Sequence, residues 1–215
     1  MTSGRTPIAG AIIAGGLSSR MQAGGISGDK FFQEIDSRAI IEHVTSRLSP
    51  QVDMLFINAN CDPLLLEPLG CPVIPDTKNR HGGPLVGLLA ALRFAQTSPF
   101  MLSATADCPF LPQNLVERLS ERQEKTGAAI VLASSQGHVH PVFGLWHTSL
   151  AEPLEAWLAD APKASVRAFA THTGYEIVEF PLIPLAGQNE TLDPFFNINR
   201  PDDLAEARRL HEALK

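Results

Sequence analysis

Cysteine is scarce in this chain, positive charge is outweighed, and no apolar stretch is long. Three cysteines stand among 215 residues, Cys61, Cys71 and Cys108, an odd number with no metal-spaced pair. That argues against a disulfide framework and suits a reducing cytoplasm. Lys and Arg number 17 against 23 Asp and Glu, a formal net charge of −6. No nucleic-acid footprint is implied, so an anionic small ligand would be met by locally placed basic residues. No apolar run approaches the ~20 residues of a membrane span. Residues 1–7, MTSGRTP, lack the charged-then-apolar order of a secretory signal. Two phosphate-binding signatures are missing too. Without G-x-x-x-x-G-K before Ser or Thr there is no Walker-type loop, and without G-x-G-x-x-G a dinucleotide-dependent dehydrogenase is disfavoured.

What is present is an ordinary globular composition, 44% hydrophobic and 19% charged, with length enough for one large domain and a sizeable core. No repeat or low-complexity segment divides it. The stretch with most information is 8–30, IAGAIIAGGLSSRMQAGGISGDK. Its first part reads as a strand buried on both faces. It then breaks into Gly15-Gly16, two serines, Arg20, a second glycine-rich patch and Lys30. Glycine at that density serves a backbone that turns sharply or lies close to a ligand. Peptide N–H groups after a parallel strand can converge on an anion, with Arg20 and Lys30 adding charge at either end. Phosphate is the expected guest.

Helical spacing follows at 39–48, then strands at 52–58 and 71–75, a helix at 84–96 announced by Gly82-Gly83-Pro84, and a strand at 100–106. A helix is expected over 112–125 with Pro112 in its first turn. This alternation argues for a parallel sheet with helices on both faces. Strands at 128–133 and 139–146, helices near 148–159 and 163–171, and a strand at 175–180 come next. A connection at 181–194 leads to 195–199 and a last helix from about Pro201. In this reading Gly15, Asn58, Asp76 and Asp107 each end a different strand on one edge of the sheet. Any one of them alone is an ordinary turn or cap residue. Asp107, in Ala106-Asp107-Cys108-Pro109-Phe110, can bind Mg2+, which takes one or two carboxylates with water and phosphate oxygens.

Read whole, Ile12-Ile13-Ala14-Gly15-Gly16-Leu17-Ser18-Ser19-Arg20-Met21 with Asp29-Lys30 resembles the loop LAGGxSxRMGxxK of the nucleotidyltransferases. The Ala-Gly-Gly form is similar to the molybdenum cofactor guanylyltransferase family. The sequence departs from that pattern in QAGGISG between Met21 and Asp29, an insertion of about four residues, which a loop tolerates at little cost. Asp107-Cys108-Pro109-Phe110 resembles the family's metal-holding D-x-P-F or D-x-P-Y. Pro75-Asp76 with Gly83-Pro84-Leu85-Val86-Gly87 resembles its nucleoside element, Asp76 accepting from guanine N1–H and N2–H2 or from ribose hydroxyls. Its asparagine falls on Asn58 rather than Asn60. His138-x-His140-Pro141-Val142-Phe143 resembles H-P-x-F; two histidines on one strand face suit a metal or simple hydrogen bonding, the second being preferred. Asn197-Ile198-Asn199-Arg200-Pro201-Asp202-Asp203-Leu204 resembles N-x-N-T-P-E-D-L, with Arg200 in place of threonine. The alternating asparagines can hydrogen-bond a pterin, and Lys163 with Arg167 suits either a basic patch for the acceptor's phosphate or equally a solvated helix face.

The resemblance implies a three-layer α/β/α, Rossmann-like nucleotidyltransferase fold, with 8–127 binding nucleotide and 128–215 binding the acceptor within one domain. It implies transfer of GMP from GTP to molybdopterin or its molybdenum form with Mg2+. Arg20, Lys30 and Asp107 would act in catalysis, with Asp107 on the metal. Ile13, Ala14, Gly15, Gly16, Lys30, Asn58, Asp76 and Asp107 would bind nucleotide, and Asn197, Asn199 and Lys163 the acceptor. The expected protein is a cytoplasmic monomer, meeting cofactor-pathway proteins and recipient molybdoenzymes but neither nucleic acid nor membrane. Two alternatives stand beside it. One is a transferase using CTP or acting on a sugar phosphate; the other is a silent GTP-binding chaperone for the cofactor.

Overall fold

Small and β-branched apolar residues in unbroken runs make strands that are buried on both faces. The computed structural model describes residues 6–15, 29–77, 83–160, 165–185 and 190–215. In it β1 (Ile8–Ile13) is buried at every residue. On one side β1 pairs in parallel with β4 (Met54–Asn58), which pairs in parallel with β5 (Val73–Ile74). On the other it pairs in parallel with β6 (Phe100–Thr105). The seven-stranded sheet continues through β8 (His138–His147), β7 (Ile130–Ser135) and β9 (Glu176–Glu179), in the order β5-β4-β1-β6-β8-β7-β9.

Only β8 runs against the rest of this sheet, pairing antiparallel with both β6 and β7. Its reversal follows from a two-residue turn. Gln136 and Gly137 both take positive φ, 50° and 74°, the geometry that matches the twist of a tight hairpin. The next unit restores the common direction, since β9 lies parallel to β7.

Helices cover both faces. On one, α1 (Ile40–Leu48) and α3 (Leu115–Thr126) bury Val44, Leu48, Leu115 and Leu119 against Ile12, Leu102 and Val131. On the other, α2 (Pro84–Phe94), α4 (Ala151–Asp160) and α5 (Val166–Thr173) pack Leu88, Leu154 and Phe169 against Ala11, Phe56 and Leu132. The expected start of α3 at Pro112 is shifted. Residues 112–114 form a turn in which Leu115 N donates to Pro112 O at 3.3 Å, and the helix begins at Leu115.

A third, smaller core is made by the last helix, α6 (Pro201–Ala213), and two strand pairs that the sequence did not signal. These are β2 (Glu34–Ile35) with β3 (Arg38–Ala39), and β10 (Ile183–Pro184) with β11 (Thr191–Leu192). Ile35, Ile40, Phe110, Leu192, Ile198, Leu204 and Leu210 fill it. Among the described residues no helix is long and apolar enough to cross a membrane.

Candidate active site

The parallel strands end together, as the sequence required. Ile13 is level with Asn58 on one side and Thr105 on the other, and Ala14 N donates to Asn58 O at 2.8 Å. Ala59 N donates to Ile74 O at 3.0 Å, bringing β5 to the same edge. Gly15, Asn58, Asp76 and Asp107 therefore share one rim. A cavity of about 420 Å³ bordered by Ile8 and Phe100, the first residues of β1 and β6, belongs to the opposite rim.

At the β4–β5 end the polar side chains are wired to each other. The Asn58 amide donates to Asp76 Oδ1 at 3.0 Å and to Ile74 O at 3.3 Å. Asn60 donates to Asp76 Oδ2 at 2.8 Å and accepts from Asp76 N at 3.0 Å. The motif favours Asn58 over Asn60 as the family's asparagine, but both side chains hold Asp76. Asn58 is fully buried, and its Oδ1 has no hydrogen-bond partner. That oxygen lies where Gly87, in the first turns of α2, leaves room: a Cβ on Gly87 would come within 2.2 Å of it. A Cβ on Gly15 would rest 3.5 Å from Asp76 and 3.7 Å from Asn58. Glycine at both positions thus keeps backbone close to this amide–carboxylate pair.

At the β6 end the chemistry is ionic. Asp107 follows β6 and is buried, because the turn 106–110 tucks Cys108 and Phe110 into the core. Lys30 opens a short turn anchored by buried Phe31. Its Nζ forms an ion pair with Asp107 Oδ2 and donates to Asn199 Oδ1 at 2.9 Å. Asp107 O accepts from Ile198 N at 3.0 Å, so the segment before α6 lies directly on the Asp107 turn. Asp107 Oδ1 is buried without a hydrogen-bond partner. Asn197 and Asn199 flank buried Ile198 and turn away from the core, Asn197 being exposed. Gly16, Arg20 and Lys163, like the inserted stretch 22–28, lie outside the described residues.

The reversed strand brings its beginning to this rim. His140 Nε2 sits 2.7 Å from Ser135 Oγ, and His138 Nδ1 sits 3.0 Å from Gln136 O. Burial pushes the His140 imidazole down, against the nearby Asp193 charge. Both histidines therefore have hydrogen-bonding roles. Among the described residues no cluster of three or more His, Cys, Asp or Glu is arranged for a metal. Ser135 and Asp193, which the sequence reading passed over, meet here: Ser135 Oγ lies 2.9 and 2.8 Å from the two Asp193 oxygens. Ser135 carried a weak signal, as the residue before a tight turn. Asp193 carried none beyond Asp before Pro.

The chain as a whole has known relatives. A relative from Brucella ovis named molybdenum cofactor guanylyltransferase is 53% identical over 208 residues, 97% of this chain and 94% of its own. One from Brucella melitensis with the same name matches equally. The fold is shared with molybdopterin-guanine dinucleotide biosynthesis protein A from Archaeoglobus fulgidus, at a TM-score of 0.70 and 22% identity, covering 95% of this chain and 98% of that one. It is shared with 4-diphosphocytidyl-2C-methyl-D-erythritol synthase from Anaerococcus prevotii at a TM-score of 0.70 and 12% identity, covering 96% of each. Residues 10–174 match the model of the MobA-like NTP transferase domain. With the family model spanning residues 10–174 and more than half of its residues identical to relatives matched along 94% of their length, the chain belongs to the MobA-like NTP transferase family.

Proposed function

We propose that this protein transfers GMP from GTP to the terminal phosphate of molybdopterin or its molybdenum form, making a guanine dinucleotide and pyrophosphate. The observation that carries the reading is the meeting of Lys30, Asp107 and Asn199 at one point on the same rim that carries the Asn58–Asp76 pair. A cation, a carboxylate with a spare oxygen and a nucleoside-sized polar patch on the same edge suit a triphosphate held at one end by its base.

The chemistry follows from these positions. Asp76 presents acceptor oxygens to the donors of guanosine, either N1–H with N2–H2 or the ribose hydroxyls. Gly15 and Gly16 let backbone approach the phosphates, and Lys30 with Arg20 neutralises the charge that grows on them. An oxygen of the acceptor phosphate attacks the α-phosphorus in line while the bond to the pyrophosphate oxygen breaks, so no side-chain nucleophile is needed. Catalysis then rests on positioning and preorganised charge. Asn197 and Asn199, together with Lys163, would bind the acceptor.

The residues fit a divalent ion. Asp107 Oδ1 is a buried acceptor without a hydrogen-bond partner, and Mg2+ takes few protein carboxylates and completes its shell with phosphate oxygens and water. Held by Asp107, it would supply charge neutralisation on the transferred phosphate. The chain works as a single domain, 8–127 taking the nucleotide and 128–215 the acceptor, in the cytoplasm, where its three free thiols are stable.

The test is direct. Purified protein with Mg2+, molybdopterin and each of GTP, CTP, ATP and UTP should form dinucleotide and pyrophosphate with GTP alone. Product from CTP instead would make it a cytidylyltransferase. GTP binding without product would make it a cofactor chaperone.

A further inference from the structure

Residues 193–199 form a strap that leaves β11 and crosses the rim to α6. It carries Asn199 to Lys30, and Ile198 to the main chain of Asp107. Several contacts tie its far end down, among them Cys108 Sγ–H donating to Phe195 O at 3.5 Å and Gln136 Nε2 donating to Asp193 Oδ2 at 3.5 Å. Asp193 Oδ1 accepts from Phe195 N at 2.9 Å, closing the strap into a turn. The Phe195 ring stacks on His140, centroids 4.6 Å apart at 29°, and packs against Phe143 and Phe180. Ser135 Oγ reaches both Asp193 oxygens and His140 Nε2.

The protons in this cluster can be counted. An ionised carboxylate only accepts, so the single Ser135 hydroxyl hydrogen goes to Asp193. Ser135 Oγ must then accept from His140, which places a hydrogen on Nε2. The chain His140 Nε2–H to Ser135 O–H to Asp193 is fully consistent, and Ser135 is completely buried. Buried networks whose members are all satisfied fix one geometry and are expensive to disturb.

We infer that Asp193, with Ser135 and His140 behind it, is a positioning residue for Lys30, acting through the strap and Asn199. The inference rests on the guanylyl-transfer reading above and adds to it a group that touches no substrate. Asp193 is wired on the β7–β8 side, while the nucleoside patch at Asn58 and Asp76 lies on the β4–β5 side. Loosening the strap should therefore leave GTP binding alone and misplace the Lys30 ammonium at the phosphates.

The experiment is a double-mutant cycle on the full chain, measuring kcat, KM for GTP and the GTP-induced rise in Tm. Asp193→Ala should lower kcat about 10-fold or more, as small misplacements of a reacting group do. KM for GTP and the Tm rise should stay within about twofold of wild type. Asn199→Ala should lower kcat similarly, and the double variant should fall no more than about twofold below Asn199→Ala. Asp193→Asn should recover most of the activity. Its carbonyl can accept from Phe195 N and its amide can donate to Ser135, which then donates to His140. Effects that multiply in the double variant, or a Tm loss with unchanged kcat, would overturn the inference. If Asp193→Ala does not fold, Ser135→Ala takes its place in the cycle with the same expectations. A wild-type protein that makes no dinucleotide would instead remove the guanylyl-transfer reading and the inference with it.

Discussion

Gly87→Ala tests how closely α2 and the nucleoside patch are fitted together. In a helix this exchange is normally favourable by roughly 1 kcal/mol, because glycine loses more backbone freedom on folding. Here the new methyl would lie 2.2 Å from Asn58 Oδ1 and 3.2 Å from both Asn58 Cγ and Ile13 Cγ2. Asn58 is fully buried and cannot retreat into solvent. It must rotate and give up its bonds to Asp76 and Ile74, or α2 must lift. Overpacking costs about 1–3 kcal/mol. Losing a hydrogen bond to a charged group costs about 1.5–3 kcal/mol more. The net effect is a loss of about 3 kcal/mol, which for a chain of this size lowers Tm by roughly 6–12 °C. Asp76 would also be left with Asn60 as its amide donor, so the Tm rise given by GTP should shrink or vanish. Gly127→Ala is the control. Gly127 ends α3 at φ +68° with open space around it, so alanine there costs stability, about 1–2 kcal/mol, but leaves the GTP response intact. Differential scanning fluorimetry with and without GTP reads both. A Gly87→Ala protein with wild-type Tm and a full GTP response would refute the fit described here.

Asp107→Asn should fold and bind GTP, yet lose about 10²-fold or more in Mg2+-dependent turnover, since an amide does not hold the ion; a wild-type rate at low Mg2+ would contradict the assignment. Lys30→Ala should cost about 10²-fold in kcat with a smaller loss of GTP affinity, as seen by comparing initial rates with equilibrium binding. Burial holds the His43 and His140 imidazoles below the usual 6.5, so the unfolded chain binds more protons just under that pH. Stability at these two sites is therefore present at neutral pH and falls as the pH drops from 6.5 toward the folded values. Urea melts at pH 5.5 and 7.5 should show this fall, and His43→Gln, which can still donate to Ile35 O, should reduce it and leave the His140 share.

The strand ends were legible because two independent signals coincide there. Mainly apolar runs located β1, β4, β5 and β6, and a glycine or polar residue at the end of each marks the rim: Gly15, Asn58, Asp76 and Asp107. The reversal of β8 was not legible in the same way. Its cause is the pair of positive φ angles at Gln136 and Gly137, and only one of those residues is a glycine. The β2–β3 hairpin hid for a stronger version of this reason. Asp36 and Ser37 carry its turn at φ 52° and 60°, and neither announces the conformation. Ser135 and Asp193 are 58 residues apart, and their roles exist only in the contact between them. Composition cannot show that. Asn58 and Asn60 posed a choice in the sequence that the fold dissolves, because a carboxylate with two oxygens takes both amides.

Lys30 and Asn199 meet although 169 residues separate them, and the family match ends at residue 174, before the strap. The order in which the chain is made thus matters to the order in which the site is completed. The elements that carry the Asn58–Asp76 pair and its surroundings, β1, β4, β5 and α2, are all synthesised within the first 94 residues. The clasp on Lys30 and Asp107 waits for the strap, and α6 must follow to bury Ile198 beneath it. In the proposed reaction, a growing chain, or one cut after α5, would have the parts to grip a nucleoside before it had the parts to act on its phosphates. On the reading proposed above, the reacting centre is completed only once the strap and α6 are in place.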